Sequence, residues 1–277
     1  MQLRLMTTKD IPDAMRLKDI AGWNQTAEDW KRFLSADSEG CFVAEYDGRV
    51  VGTSATIVYE DRFAWIGMLI VDPLHRGKGL GTALLERAIQ YLDSRRIPCM
   101  KLDATPQGKP LYEKLGFQSE YTVERWMLKR QCEKKTVRKA PVKILDILQL
   151  DREIFGADRS KLLLSLTEEA PHFTLADGKE VDVAGYAFGR QGSLADHLGP
   201  WIARNKDVAA TLLDEFLRLS QRDLVFVDCM TRNPWAAPLV KAHGFEFRRP
   251  LTRMFRGTNE YAGRPDLVLA IMGPEFG

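Results

Sequence analysis

Cysteine is scarce in this sequence, and its spacing excludes two kinds of site. The four cysteines stand far apart and form no C-x-x-C pair: Cys41, Cys99, Cys132 and Cys229. Structural zinc sites usually show such close pairs, and disulfide scaffolds are far richer in cysteine. We therefore expect neither a metal site nor a disulfide framework.

Long apolar runs and a strong excess of one charge are also missing. No run approaches the ~20 residues that a transmembrane helix needs, and the N-terminus lacks the apolar core of a signal peptide. The 40 Lys and Arg against 38 Asp and Glu give a net charge of +2, whereas nucleic-acid-binding proteins are usually more basic. We expect a cytoplasmic protein that binds neither membrane nor nucleic acid.

The residues that are present predict a mixed α/β domain that is complete by about residue 128. Asp47-Gly48 separates two strand-like runs, which is a strong hairpin signal. Trp65–Val71 is almost continuously apolar, as in a strand covered on both faces. Apolar spacing from Leu80 to Leu92 is helical. The predicted order is β-α-α-β-β-β-α-β-α-β, and Trp30 and Trp65 are expected in the core.

The second half of the sequence repeats the first at an offset of 128 residues. Without a gap, Pro110-Leu111 coincide with Pro238-Leu239, and Gly116-Phe117 with Gly244-Phe245. A regular offset of this kind indicates a duplicated fold. The predicted class is α/β (an α+β mixed sheet) in two tandem domains, the second diverged. Residues 1–130 form the first domain, 131–143 a basic linker, and 144–277 the second domain, which includes an apolar strand at Leu267–Met272.

One loop of the first half has the features of a phosphate-binding site. Arg76-Gly-Lys-Gly-Leu-Gly81 follows a buried strand and opens directly into a long amphipathic helix. Glycines allow a ligand to approach the backbone closely, and the first N–H groups of a helix lack internal partners at its positive dipole end. These features together favour a pyrophosphate ligand. The Walker pattern is absent, and the third glycine comes one residue too early for a dinucleotide fingerprint.

Further downstream, in Pro110-Leu-Tyr-Glu-Lys-Leu-Gly-Phe117, three residues separate a tyrosine from Gly-Phe. This motif, the R-x-x-G-x-G loop and the element order resemble the GNAT N-acetyltransferase superfamily over residues 1–128. Gly-Trp-Asn-Gln-Thr at 22–26 and Leu102-Asp-Ala-Thr-Pro further resemble the YitH-like bacterial proteins, which carry a second, degenerate acetyltransferase domain.

The resemblance implies acetyl-CoA as co-substrate and a residue-by-residue site for it. The strand residues that would pair with pantetheine and polarise the thioester carbonyl are Leu69, Ile70 and Val71. The residues that would hold the pyrophosphate are Arg76, Gly77, Lys78, Gly79, Leu80 and Gly81, with Thr82 adding a hydroxyl. No metal is implied.

The same resemblance assigns the catalytic and acceptor residues. Tyr112 stands where the family's general acid stands. A phenol is protonated at neutral pH and can therefore donate a proton. Asp103, at the end of its strand, is the candidate base, and it equally fits an aspartate that caps the following turn. Trp23 and Asn24 border the acceptor pocket. Glu60, Asp61 and His75 are further candidates for the base.

The second copy has lost the loop chemistry. The three glycines become Asn205, Asp207 and Ala209, and the tyrosine becomes Val240. We expect this copy to be silent towards CoA and to shape the acceptor site or only to stabilise the protein. The aromatic candidates for a wall of that site are Phe188, His197, Trp201 and Trp235.

The predicted function is transfer of an acetyl group to a primary amine by direct attack in a ternary complex. The acceptor is a small-molecule or peptide amine of unidentified structure, and a homodimer is left open. Two alternatives remain at this point. One is a non-catalytic acyl-CoA sensor, and the other is an acyltransferase that uses a longer acyl donor.

Overall fold

The structure is a computed structural model that describes residues 2–132, 144–179 and 182–277. By its internal contacts the chain forms two compact units. The first contains the described residues up to Glu120, with Met254–Glu260 and Phe276; the second contains the rest. Of the predicted basic linker, residues 133–143 lie outside the described residues.

The chain follows the predicted element order up to Lys129, and all elements but the last strand lie in the first unit. Its elements, in chain order, are β1 (Gln2–Leu5), α1 (Ile11–Ile20), α2 (Ala27–Ala36), β2 (Cys41–Tyr46), β3 (Arg49–Tyr59), β4 (Phe63–Val71), α3 (Leu80–Ser94), β5 (Cys99–Ala104) and α4 (Lys109–Lys114). The strands β1 to β4 pair antiparallel in sequence order, and β5 lies parallel to β4.

Local chemistry explains where these elements begin. Thr26 precedes α2 in an extended conformation, and its backbone N–H donates to the Asp29 carboxylate at 2.8 Å in a capping box. Helix α3 buries Leu84, Leu85 and Ala88 against one face of the sheet. Trp30 and Trp65 are 0% and 1% exposed, as predicted for core residues.

The strands β4 and β5 pair over a short stretch and then separate. Ala64 lies opposite Met100, and Trp65 lies opposite Lys101. Residues 66–71 of β4 and 102–104 of β5 lie beyond the last pair. A gap therefore opens towards the carboxyl ends of the two parallel strands, which is where ligands bind in open α/β sheets.

The second unit repeats the element order of the first from α1 onwards. It contains most of β6 (Gln118–Lys129), then α5 (Ile144–Phe155), α6 (Ser160–Glu169), β7 (Leu175–Lys179), β8 (Asp182–Gln191), β9 (Asp196–Ala203), α7 (Lys206–Leu219), β10 (Leu224–Met230), α8 (Ala236–Ala242), most of β11 (Glu246–Gly257) and β12 (Val268–Ala270). β11 spans the residues of β6 shifted by 128, as the repeat predicted.

Each unit is completed by a strand from the other half of the sequence. In the second unit, β6 pairs antiparallel with β10 from Val123 opposite Met230 to Lys129 opposite Leu224. In the first unit, the end of β11 lies beside β5, and the N–H of Thr258 donates to the Pro98 carbonyl at 2.9 Å. The sequence assigned residues 118–129 to the first domain, whereas the contacts group Tyr121–Lys129 with the second unit.

In the second unit a strand occupies the equivalent gap. β9 and β10 pair in parallel up to Leu198 opposite Val227. Beyond that point Ala270 of β12 pairs with Trp201 on one side and Cys229 on the other. A Cβ at Gly199 would lie 1.9 Å from the Ile271 carbonyl oxygen. Glycine is therefore required where this segment passes β9.

Replacement of Gly199 by alanine should destabilise the second unit, because the new methyl group would overlap a backbone oxygen. A backbone atom cannot move aside as the end of a flexible side chain can. We expect a loss of about 2 kcal/mol or more in the free energy of unfolding, measured by denaturant titration. The surface change Leu164→Ala on α6 is the control and should stay within about 0.5 kcal/mol. Equal stability of both variants would contradict the close passage of this segment.

Candidate active site

The strand β4 carries a bulge at the start of the gap. Thr53 lies opposite Ile70 and Ala55 opposite Gly67, so the single residue between them on β3 faces both Met68 and Leu69. Met68 has a positive φ of 56°, and its carbonyl accepts a hydrogen bond from the Thr53 hydroxyl at 2.7 Å. Bulges redirect backbone and side chains and are common beside active sites.

Beyond the bulge, Val71 directs its backbone towards the gap. The N–H of Asp72 donates to the Val51 carbonyl on β3 at 2.9 Å. Because backbone groups alternate in direction along an antiparallel ladder, those of Val71 point away from β3 and those of Ile70 point towards it. The Val71 carbonyl accepts a hydrogen bond from Nε of Arg76 at 3.1 Å. Of the predicted strand residues, Val71 therefore presents backbone groups on the open side, and Leu69 lies within the bulge.

An ion pair fixes the base of the glycine loop. Asp72 accepts a hydrogen bond from the Leu74 N–H at 3.0 Å and forms an ion pair with Arg16 of α1 at 2.9 Å. The hydrogen bond from Arg16 holds the pKa of the Asp72 carboxyl below its ordinary value, against the opposing effect of burial. No local motif marks this pair, because Arg16 and Asp72 are 56 residues apart in sequence.

The loop conformation requires glycine at two of its three positions. Gly77 and Gly79 have φ values of 75° and 79°, and a Cβ at either would meet no atom within 4 Å. Glycine is thus required at these two positions by the backbone conformation and not by a lack of space. At Gly81 a Cβ would lie 3.7 Å from Leu111 and 3.8 Å from Val71, an ordinary contact. The end of β4, the start of α3 and the helix α4 therefore lie close together at Gly81.

The start of α3 has the electrostatics of an anion site. The helix begins at Leu80, and Gly79 offers no side chain to cap it. The first N–H groups of the helix therefore have no partner within it, and the helix dipole places positive potential at the same end. Arg76 and Lys78 are exposed beside it. This arrangement suits a phosphate or pyrophosphate group.

Tyr112 lies on α4, close to that helix start. Its ring covers Gly108, where a Cβ would approach the ring to 3.0 Å, and meets the ring of Phe117 edge-on at 6.1 Å. Burial raises the pKa of Tyr112 to about 12. The phenol therefore keeps its proton throughout the neutral range, as a proton donor requires.

Asp103 belongs to the opposite face of the sheet. Met100, Leu102 and Ala104 of β5 pack into the core beneath α3. Because side chains alternate along a strand, Lys101 and Asp103 point to the other face, towards the side of α1 and α2. The two predicted catalytic side chains therefore approach the gap from opposite faces.

The predicted acceptor residues follow α1 directly. Trp23 is half-buried, and its backbone N–H donates to the Lys18 carbonyl at 3.0 Å. Asn24 is buried. The turn after α1 therefore holds both residues in fixed positions, and their role at an acceptor site remains a prediction.

The second unit lacks the anion site at the equivalent helix start. The Asn205 side chain accepts the Val208 N–H at 2.9 Å, so that it caps α7 itself. Asp207 adds a negative charge to the first turn, and Val240 is buried in the position of the tyrosine. The aromatic residues proposed as a wall are mostly core residues: Phe188, His197 and Trp201 are buried, and Trp235 packs against the core.

Two other kinds of site are absent from the described ranges. No group of three or more His, Cys, Asp or Glu side chains in these ranges is arranged to hold a metal ion. None of the helices in the same ranges has the length and apolar character needed to cross a membrane.

Comparisons with known proteins match both halves of the chain. The model of the acetyltransferase (GNAT) family matches residues 10–117, and that of an acetyltransferase (GNAT) domain matches residues 147–269. Holothin acyltransferase of a Pseudoalteromonas species is 28% identical over 92% of this chain and 87% of its own length. YitH of Bacillus subtilis, an uncharacterized N-acetyltransferase, is 27% identical over 72% of each chain.

Solved structures share the fold. A structure from Pyrococcus horikoshii covers all of this chain and 95% of its own, with a TM-score of 0.84 at 23% identity. A GNAT structure from Sphaerobacter thermophilus covers 92% of this chain and 95% of its own, with a TM-score of 0.67 at 17% identity. The two family matches span most of the sequence, and the chain therefore belongs to the GNAT acetyltransferase family, with two such domains in tandem.

Proposed function

We propose that this protein transfers the acetyl group of acetyl-CoA to a primary amine at one active site in its first unit. The observation that carries the proposal is the meeting of three elements: the open strand gap, the uncapped start of α3, and the tyrosine on α4. GNAT acetyltransferases use acetyl-CoA as co-substrate. The proposal is limited to one active site because the gap of the second unit is filled by β12 and its helix is capped by Asn205.

The described residues fit the donor. The exposed cations Arg76 and Lys78 and the N–H groups from Gly79 to Thr82 would hold the pyrophosphate. The backbone groups of Val71, which point away from β3, would bond the pantetheine arm along the gap. Acetyl-CoA supplies an activated acyl thioester when bound. The open space at Gly77 and Gly79 leaves the backbone accessible to such a ligand.

The residues at the gap provide the proton transfers that the reaction needs. Asp103, directly or through water, takes a proton from the acceptor ammonium so that the neutral amine can attack the thioester carbonyl. A carbon–nitrogen bond forms and the carbon–sulfur bond breaks. A backbone N–H of the bulged strand, between Leu69 and Val71, stabilises the negative charge on the carbonyl oxygen. Tyr112 gives its proton to the departing sulfur, and the second proton that the nitrogen releases as the amide forms passes through water and restores the phenol.

A longer acyl donor is the second candidate. The observation that favours it is the similarity, over 92% of this chain, to a protein named an acyltransferase without restriction to acetyl groups. Competition between acetyl-CoA and longer acyl-CoAs, with the products identified by mass, distinguishes the two donors. The proposed acetyl donor is wrong if a longer chain has the higher kcat/KM.

Substitution of Tyr112 by phenylalanine should remove the proton donor and leave the packing against Gly108 and Phe117. We expect kcat to fall by about a hundredfold, with the KM for acetyl-CoA nearly unchanged. Because burial raises the pKa of Tyr112 to about 12, wild-type kcat should show no decline from loss of this proton between about pH 7 and pH 10. Unchanged turnover of the variant across that range would rule out Tyr112 as the acid.

Substitution of Gly79 by alanine should weaken CoA binding, because a residue with a Cβ resists the positive φ that orients the loop. We expect the Kd for CoA, measured by calorimetry, to rise by about tenfold. Gly48 has a similar φ of 74° and equally open surroundings, in the β2–β3 turn. The matched variant Gly48→Ala should lose similar stability and bind CoA normally. A comparable loss of affinity in both variants would show that the loop has no specific role.

Calorimetry with CoA should give one binding site per chain, since only the first unit has the loop and the open gap. A thiol-release assay with acetyl-CoA and a panel of primary amines should then detect turnover. Two sites per chain would contradict the assignment of a silent second unit. One site without thiol release from any amine would instead identify an acyl-CoA sensor.

A further inference from the structure

Two arginines of the second unit lie near each other on neighbouring strands. β11 is the neighbour of β6 in the sheet. Arg253 of β11 donates to the Tyr121 hydroxyl of β6 at 3.2 Å, and its guanidinium lies 5.5 Å from the centroid of that ring. The offset of 128 residues maps Tyr121 to Arg249 and Arg125 to Arg253. In the equivalent pair, Arg249 of β11 with Arg125 of β6, an arginine therefore takes the place of the tyrosine.

Only one of these two arginines has a counter-ion in the protein. Arg125 is buried, and its two hydrogen bonds engage both carboxylate oxygens of Asp228 at 2.7 and 2.6 Å. The Arg249 side chain forms neither a hydrogen bond nor an ion pair with any residue in the described part of the chain. The positive charge of Arg249 is therefore left without a direct partner.

The surroundings of Arg249 oppose its charge. Burial lowers the pKa of Arg249 below its ordinary value, the positive charge of Arg125 lowers it further, and the attraction of Asp228 only partly offsets these effects. Like charges opposite each other on neighbouring strands destabilise a sheet, and a charge withdrawn from water costs free energy unless it is paired. Arg249 is half-buried, so that its guanidinium remains accessible to a small solute.

The adjacent arginine has the partner that Arg249 lacks. Successive residues of a strand point to opposite faces, and Arg248 is exposed and forms an ion pair with Glu246 at 3.1 Å. Among the described residues no carboxylate meets Arg249 in this way. An anion from solution would complete the pair.

We propose that Arg249 binds a small oxyanion, a carboxylate or a phosphate, beside Arg125 on its face of β11. The planar guanidinium presents paired N–H donors that match two oxygen atoms of such a group. The bound negative charge also offsets the repulsion between the two arginines. The second unit, whose gap is filled and whose helix is capped, thereby has a ligand site of its own. This inference does not depend on acetyl transfer.

Thermal unfolding of the full chain tests for the site. A ligand that binds only the folded protein raises the midpoint temperature as its concentration increases. Sodium phosphate and sodium acetate are titrated separately at constant ionic strength, with chloride as the balancing anion. We expect a saturable rise with at least one of them, and the one with the lower apparent Kd identifies the preferred chemistry. The proposal is overturned if neither oxyanion acts differently from chloride.

Two variants then locate the effect. Arg249→Met keeps an unbranched side chain but removes the charge, and we expect its apparent Kd for the oxyanion to be at least about tenfold higher, which corresponds to one charge-assisted hydrogen bond. Arg248→Met is the matched control on the same strand and should respond like the wild type. The glycine loop of the first unit can also bind phosphate, but it is the same in every variant. Equal responses of the wild type and Arg249→Met would refute the proposal.

The stability of Arg249→Met in chloride alone distinguishes a ligand-binding arginine from a structural one. Because the change removes a half-buried charge that has no partner and lies beside a like charge, we expect the variant to unfold at the same temperature as the wild type or higher. A clearly lower midpoint would show that Arg249 is stabilised within the protein itself, and would overturn the proposal. Arg249→Lys keeps the charge without the planar fork, and its oxyanion response should lie between those of the wild type and Arg249→Met.

Discussion

The short parallel pairing of two strands is the constraint on which the rest of the site depends. In the first unit β4 and β5 stay together for two residue pairs and then diverge. Divergence leaves backbone groups on the inner edges of both strands without a neighbouring strand. Such groups are costly to bury without hydrogen-bond partners, so the gap favours water or a ligand that offers them. The bulge at Met68 and the outward backbone of Val71 make this edge suitable for a ligand with its own hydrogen-bonding groups.

The second unit meets the same constraint with its own chain. There β12 enters the gap and pairs with β9 and β10, and the N–H of Ile271 donates to the Asp228 carbonyl at 3.1 Å. The helix that follows β9 is capped by Asn205. The loss of the glycine loop and the filling of the gap are therefore two separate differences from the first unit. Restoring the three glycines alone would leave the gap filled.

Exposed and buried charges have different roles in this protein. In the first unit Arg76 and Lys78 are exposed beside an uncapped helix. In the second unit Arg125 and Asp228 form a buried pair, whose two hydrogen bonds measure 2.7 and 2.6 Å. Burial opposes ionisation of Asp228, but Arg125 more than offsets this effect and lowers the pKa of the carboxyl. Breaking such a buried pair typically costs about 3–5 kcal/mol. These charges thus contribute to the integrity of the unit, and the exposed ones remain available to a ligand.

The sequence by itself determined the elements, the duplication and the loop. Local backbone chemistry, set by a few neighbouring residues, decides where a helix starts, as at Thr26. It also decides the turn at Asp47-Gly48 and the conformation of the glycine loop. The offset of 128 residues also predicted the positions of α7, α8 and β11 correctly. Only the tertiary structure decided which strands complete each unit, because pairing depends on partners that are distant in sequence. Likewise, Arg16 meets Asp72, Lys101 lies buried over Phe63, and β12 enters the gap. None of these contacts has a local signature, since each is set by the packing of remote segments.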